Sequence, residues 1–447
     1  MHNACRFGRV AQVFKGIPYA EAPARFAPPR PWRGSLEPTG ISAHAPQFDL
    51  LTGRPGGDED CLYLDVYAPS TPGPHPVMVW IHGGGGVTGS PGEYDGSLFA
   101  EHGIVVVVVG YRLGVLGLLY VPGVSPGNLS LMDQVTALQW VRDHIGSFGG
   151  DPSRVTLAGE SNGGRTVGTL MATPSAAGLF QQAIVQSGTG VGTVVHTPDE
   201  AAALGASVVA ELGVADPASL RDIPLRRLLD AQAAVAAASP IAVPYQVIVD
   251  GELLPRRPID AIADGASGDV RLLVGTNHDE QDLFAAITTS FSGSRSMVVQ
   301  QDTFDKALAR YRELLPELSE ERVHRHTMTA SEWWIPAIRL AEAHRGETYM
   351  YRLDWRLSDT GMGAPHALDL IFVFGGRGVE GLSRLFRVPA DNPITEIMHG
   401  AWVDFIADGD PGWEPYGRSR STFVFDTESG PVEDPDRALR LVWEVTA

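Results

Sequence analysis

Short unbroken apolar runs recur along the chain, and each ends in glycine or polar residues. Pro76–Ile81 runs into His82-Gly83-Gly84-Gly85-Gly86, and Ile104–Val109 into Gly110-Tyr111-Arg112. Val155–Ala158, Ala183–Gln186, Arg271–Val274 and Thr348–Leu353 repeat the form. Apolar runs without polar alternation suit strands buried on both faces, the habit of parallel sheets. Helical patterns separate them, such as Asp133–Arg142. The alternation predicts an α/β fold with a mostly parallel sheet and helices on both faces. Ligands of such sheets bind beyond the carboxyl ends of the strands, where these polar loops emerge. Two stretches break the rhythm: residues 197–240 are Ala-rich and helical, and residues 302–347 are helical with Trp333-Trp334 inside. They read as helical insertions forming a cap. No internal repeat or low-complexity linker divides the chain, so residues 1–447 are expected to form a single domain.

One polar turn carries chemistry. Gly159-Glu160-Ser161-Asn162-Gly163 follows an apolar strand and precedes a helix-compatible stretch, the setting of a Gly-x-Ser-x-Gly nucleophile elbow. In a chain with 51 glycines the pentapeptide could be a plain surface turn. The glycine loop after His82 decides against that, because backbone N–H groups without side chains form a site for a developing oxyanion. A phosphate-binding loop would require Gly-Lys-Ser/Thr next, which is absent. A serine hydrolase also needs an acid and then a base, in that chain order. Asp279, Glu280 and Asp282 compete for the acid. For the base, His366 lies in a Gly- and Pro-containing loop after a strand. His324, His326 and His344 fall in helical segments and are expected to be exposed, and His399 lies in a late helical stretch. The His324/His326 pair has no further ligands nearby in sequence, so no metal site is expected.

Bulk properties narrow the class. The net charge of −19 disfavours phosphate-bearing partners such as nucleic acid or an anionic membrane. The two cysteines, Cys5 and Cys61, imply no disulfide framework. No signal-peptide h-region follows Met1–Arg6, and no apolar run is long enough to span a bilayer. A cytoplasmic protein is expected.

The chain resembles the type-B carboxylesterases over nearly its whole length. Phe14–Ala20, Arg25–Pro29, Glu59–Val66, Phe148–Pro152 leading to Gly159-Glu160-Ser161, Ala183–Gly188 and Gly409-Asp410-Pro411 are similar to motifs of that family, in order. The resemblance implies an α/β-hydrolase fold and hydrolysis of small-molecule carboxylic esters without a cofactor. Its implied residues are Ser161 as nucleophile, Glu280 as acid and His366 as base, before Phe374-Gly375. Gly84, Gly85 and Asn162 would be the oxyanion donors, and Ser187 a supporting residue. The family usually has Ala where Asn162 stands and an aromatic residue where Gly86 stands, so Gly86 is expected to enlarge the pocket. Phe284, Trp333 and Trp334 are candidate pocket aromatics. The family's early disulfide lacks its second cysteine here, where Ala45-Pro46-Gln47 stands. Asn162 Oδ1 could accept the N–H of a scissile amide, making amide or carbamate hydrolysis the alternative activity. A non-catalytic binding protein on the same fold is the other alternative. Oligomeric state is not readable from sequence.

Overall fold

The computed structural model describes residues 11–49, 52–287, 296–358, 361–376, 379–389 and 391–445. Cys5 lies outside them. The centre is a ten-stranded sheet. In chain order its strands are β1 (Gln12–Pro18), β2 (Tyr63–Ala68), β3 (His75–Ile81), β4 (Val105–Val109), β5 (Gly150–Glu160), β6 (Gln182–Gln186), β7 (Arg271–Asn277), β8 (Thr348–Leu353), β9 (Ser421–Phe425) and β10 (Gly430–Glu433). The spatial order is β1-β2-β4-β3-β5-β6-β7-β8-β9-β10. From β4 to β9 all neighbours are parallel, whereas β1, β2 and β10 pair antiparallel at the edges.

Every apolar run singled out in the sequence, apart from Ile104 at the head of its run, lies in one of the parallel strands. Val105–Val109 are fully buried along their whole length. This follows from helices covering both faces, which gives apolar side chains a dry partner on either side. The strand order reverses between β3 and β4, and the loops following β3, β5, β7 and β8 gather at one end of the sheet.

Residues 197–240 form helices Pro198–Leu212 and Leu225–Ala238. The first begins with a reciprocal capping box between Thr197 and Glu200. Residues 302–347 hold helices Gln301–Leu314, Glu320–Thr329 and Ile335–Ala343, the last two joined by a π-helical turn at Ala330–Trp334. Among the described residues no helix is long and apolar enough to cross a membrane. Cys61 is a free, buried thiol, and burial raises its pKa.

Candidate active site

The strand β5 ends at Glu160, and helix α1 (Asn162–Leu170) begins two residues later. Ser161 alone makes the turn, at φ 58° and ψ −121°. For a residue with a Cβ this is a strained conformation. The Ser161 N–H donates to Gln186 O at 2.9 Å, which pins the turn to β6. Close packing explains the glycines. A Cβ on Gly163 would lie 2.0 Å from Ile81 O. Gly163→Ala is therefore expected to push the elbow off β3 and to destabilise the fold by about 1–3 kcal/mol, measurable as a lowered melting temperature; an unchanged value would contradict the packing.

The loop after β8 brings His366 over the serine. His366 Nε2 lies 2.8 Å from Ser161 Oγ, and His366 Nδ1 lies 2.5 Å from Glu280 Oε2. The second Glu280 oxygen accepts from Asn277 N at 2.8 Å. Glu280 and His366 are buried, and Ser161 is half-buried. The neighbouring acids are engaged elsewhere. Asp279 Oδ2 accepts from Ala364 N, and Asp282 Oδ2 from Gly363 N, both at 3.0 Å. Of these three carboxylates only Glu280 reaches the imidazole; the other two are held by backbone N–H groups of the His366 loop, and Asp282 also by Arg325.

The other histidines lie apart from Ser161. His344 is buried rather than exposed, bound to Thr348 Oγ1 and Ser267 O. His324 and His326 are half-buried, not exposed, since their helix packs against its neighbours. His399 contacts Val373 O and His102. Donor atoms of His326, His278 and Asp279 lie within 4.8 Å of one another, so the tertiary fold gathers a cluster that linear spacing does not reveal. Guanidinium groups already surround its carboxylate: Arg322 and Arg325 line the same recess, and Arg356 Nε lies 3.9 Å from Asp279 Oδ2. These cations oppose a divalent ion there.

Gly84 and Gly85 adopt φ +100° and +64°. A Cβ on Gly84 would meet Thr88 O at 2.2 Å, so only glycine fits. Among the described residues, no acceptor is paired with the N–H of Gly84 or Gly85. Asn162 opens helix α1, where a backbone N–H has no intrahelical partner.

The side chain of Asn162 is engaged on both sides. Its Oδ1 accepts from Arg165 Nη2, so one of its two lone pairs is already committed. A Cβ on Gly86 would stand 3.3 Å from that same oxygen. The space beside Gly86 is bordered by the Asn162 amide and by Leu118. Phe284 stacks on Trp333 at 5.5 Å between ring centres, and the two rings lie 5.1 and 5.5 Å from His366. Trp334 does not join them. It belongs to the main core and lines a recess with His278, His326 and Arg352, because successive residues of the helical turn face different sides.

Glu160 was not singled out by sequence, where it fills a variable position of the elbow. It is buried, and its Oε1 lies 3.1 Å from His366 Nε2 without a hydrogen-bond partner. Burial raises its pKa, and the nearby Asp369 and Glu280 add to the rise. For His366, burial alone would depress the imidazole, but Glu160 and Glu280 outweigh it and raise the pKa. Arg165 was also missed. Its i, i+3 spacing from Asn162 on a helix puts the two side chains together, but nothing local marks its burial.

A model of the family described as "Carboxylesterase family" matches residues 3–433. The chain belongs to the carboxylesterase family. This carboxylesterase is 37% identical over 471 residues to the para-nitrobenzyl esterase of Bacillus subtilis (strain 168), covering 96% of this chain and 94% of that protein. It is 33% identical over 439 residues to the phenmedipham hydrolase of Pseudarthrobacter oxydans, covering 89% and 87%. Among solved structures, a PNB esterase superposes with a TM-score of 0.85 at 34% identity, over 99% of this chain and 96% of that one. A Geobacillus stearothermophilus carboxylesterase gives 0.83 at 33%, over 99% and 97%. The fold of this carboxylesterase is the α/β-hydrolase fold, and its activity is hydrolysis of small-molecule carboxylic esters.

Proposed function

We propose that the carboxylesterase acts as one catalytic unit in which Ser161 attacks the ester carbonyl. The observation that carries this reading is the continuous hydrogen-bonded series from Ser161 Oγ through His366 to Glu280. His366 Nε2 takes the serine proton, and Glu280 holds the Nδ1–H and balances the imidazolium. The tetrahedral oxyanion is held by the N–H groups of Gly84, Gly85 and Asn162. His366 then protonates the leaving alcohol, and water hydrolyses the acyl-enzyme. None of these steps requires a cofactor or metal. Phe284 and Trp333 wall the substrate beside His366. The names of the para-nitrobenzyl esterase and phenmedipham hydrolase relatives make aromatic esters the first substrates to assay. The acidic surface and the lack of a disulfide framework support a cytoplasmic enzyme without nucleic-acid partners. Ester hydrolysis is favoured over amide hydrolysis by the family and by the para-nitrobenzyl esterase relative; Arg165 also commits one lone pair of Asn162 Oδ1. A fluorophosphonate probe should label the protein once, at Ser161, as mapped by peptide mass spectrometry. A folded protein that takes no label, or takes it elsewhere, would reject the assignment and favour a binding protein.

The flanking carboxylates predict a pH effect. The base works only when neutral, so kcat/KM rises with pH through the His366 pKa. Glu160 raises that pKa by favouring the imidazolium. Glu160→Gln removes this charge, so the acid limb of the profile should move to lower pH. An unmoved limb in a profile of kcat/KM against pH would show that Glu160 does not act on the base.

A further inference from the structure

Arg165 lies one turn into the helix that starts at the elbow, and it is 6% exposed. Among the described residues no carboxylate forms an ion pair with it, and its Nη1 is buried with no hydrogen-bond partner. Burial lowers its pKa to about 10, opposed by the fields of Tyr111 and Glu332, so it stays charged at neutral pH. A buried guanidinium without a counter-ion is an expensive feature for a fold to keep. What it does touch is specific. Arg165 Nη2 donates to Asn162 Oδ1. The Asn162 side chain in turn lies near the Tyr111 hydroxyl, where it opposes the rise that burial imposes on the tyrosine pKa. Tyr111 Oη donates to His82 O at 2.7 Å, and its ring stacks on His82 at 4.4 Å. His82 is the residue from which the glycine loop departs. Arg165 thus holds the Asn162 side chain against the glycine loop, 3.3 Å from where a Cβ on Gly86 would stand, and near Tyr111, which is bonded to the root of that loop at His82.

We infer that Arg165 is a positioning residue of the oxyanion hole, which fixes the Asn162 side chain against the glycine loop so that its two halves stay in register, and adds a buried positive charge behind them. The inference rests on the proposed roles of Ser161, Gly84, Gly85 and Asn162. Its effect is differential. The ester carbonyl is neutral in the ground state, and negative charge grows on its oxygen as Ser161 adds. The guanidinium, which has no carboxylate in direct contact, gains a further negative charge only then, so it favours the transition state over the bound substrate. A linked set of donors also needs no reorganisation as the charge develops.

The test is Arg165→Met, which keeps the length of the side chain and removes its charge and donors. Removal of a direct oxyanion donor lowers kcat by about 100- to 1,000-fold, so a group acting through another is expected to lower it by about 10- to 100-fold. KM should change far less. Affinity for an aryl trifluoromethyl ketone, which adds to the serine to form a tetrahedral oxyanion, should fall by the same factor as kcat. Arg165→Lys, which retains the charge, should recover part of both losses. In an Asn162→Ala background the effect of Arg165→Met should shrink, because the pair acts as a unit. A lower melting temperature with kcat and ketone affinity intact would overturn the inference, leaving Arg165 a packing residue. So would a loss confined to KM. If Arg165→Met does not fold, Arg165→Lys and the Asn162→Ala comparison decide by the same readouts. Fluorophosphonate labelling of the wild type keeps the two levels apart. Label at Ser161 with unchanged Arg165→Met kinetics overturns only the role of Arg165, whereas a wild type without label at Ser161 overturns the site on which that role depends.

Discussion

Ser161→Ala is expected to lower kcat for a carboxylic ester by about a million-fold while leaving the protein folded. The elbow holds the serine hydroxyl 2.8 Å from His366 Nε2, in a backbone conformation imposed by the Gln186 O contact and by the packing of Gly163 on β3. Alanine keeps that backbone and removes only the nucleophile. The oxyanion donors and the aromatic wall remain, so residual turnover through direct attack by water is expected to stay above the uncatalysed rate. Steady-state turnover of an aryl ester, with circular dichroism as the control for folding, measures this. Retention of more than about a thousandth of the wild-type kcat would mean that another group attacks the carbonyl.

Arg112→Met should destabilise the fold by about 3–5 kcal/mol, the largest effect expected outside the site. Arg112 follows β4, and its guanidinium meets Asp133 of the helix Leu129–His144 at 2.8 Å and 2.6 Å. The Arg112 backbone N–H also donates to Asp133 at 3.1 Å, and Arg112 Nη1 reaches Ala27 O at 2.6 Å. Asp133 is fully buried, and burial raises its pKa against the pull of Arg112. Removing the cation leaves a carboxyl with one backbone donor in a dry interior, where an unpaired charge is far more costly than the intact pair is favourable. Urea unfolding of the two proteins measures the difference. A midpoint within error of the wild type would show that water or another cation replaces Arg112.

The parts of the fold and site that were legible in sequence are those set by local pattern. Val105–Val109 announces a strand buried on both faces. The glycines around Ser161 and after His82 announce sharp turns at strand ends, where bare backbone must approach a ligand. Glu280 is different. Asp279, Glu280 and Asp282 are chemically alike and almost adjacent, and residue-level reading could not choose among them. The resemblance to the family chose Glu280, and the turn after β7 is what points this carboxylate at His366. Trp333 and Trp334 could not be told apart either, because the π-helical turn decides which ring reaches the imidazole.

By itself the chain determined its α/β alternation, its strand ends and the chemistry those ends offer, since each depends on residues within a few positions of one another. The tertiary structure alone decided which charges meet. It set Glu160 beside His366, brought Asp369 near the same imidazole, and placed the Asn162 amide beside Gly86. These outcomes depend on burial and on contacts between separate strands and helices. The strength of an ionic or polar contact is governed by how much water is excluded around it, and local sequence does not carry that information.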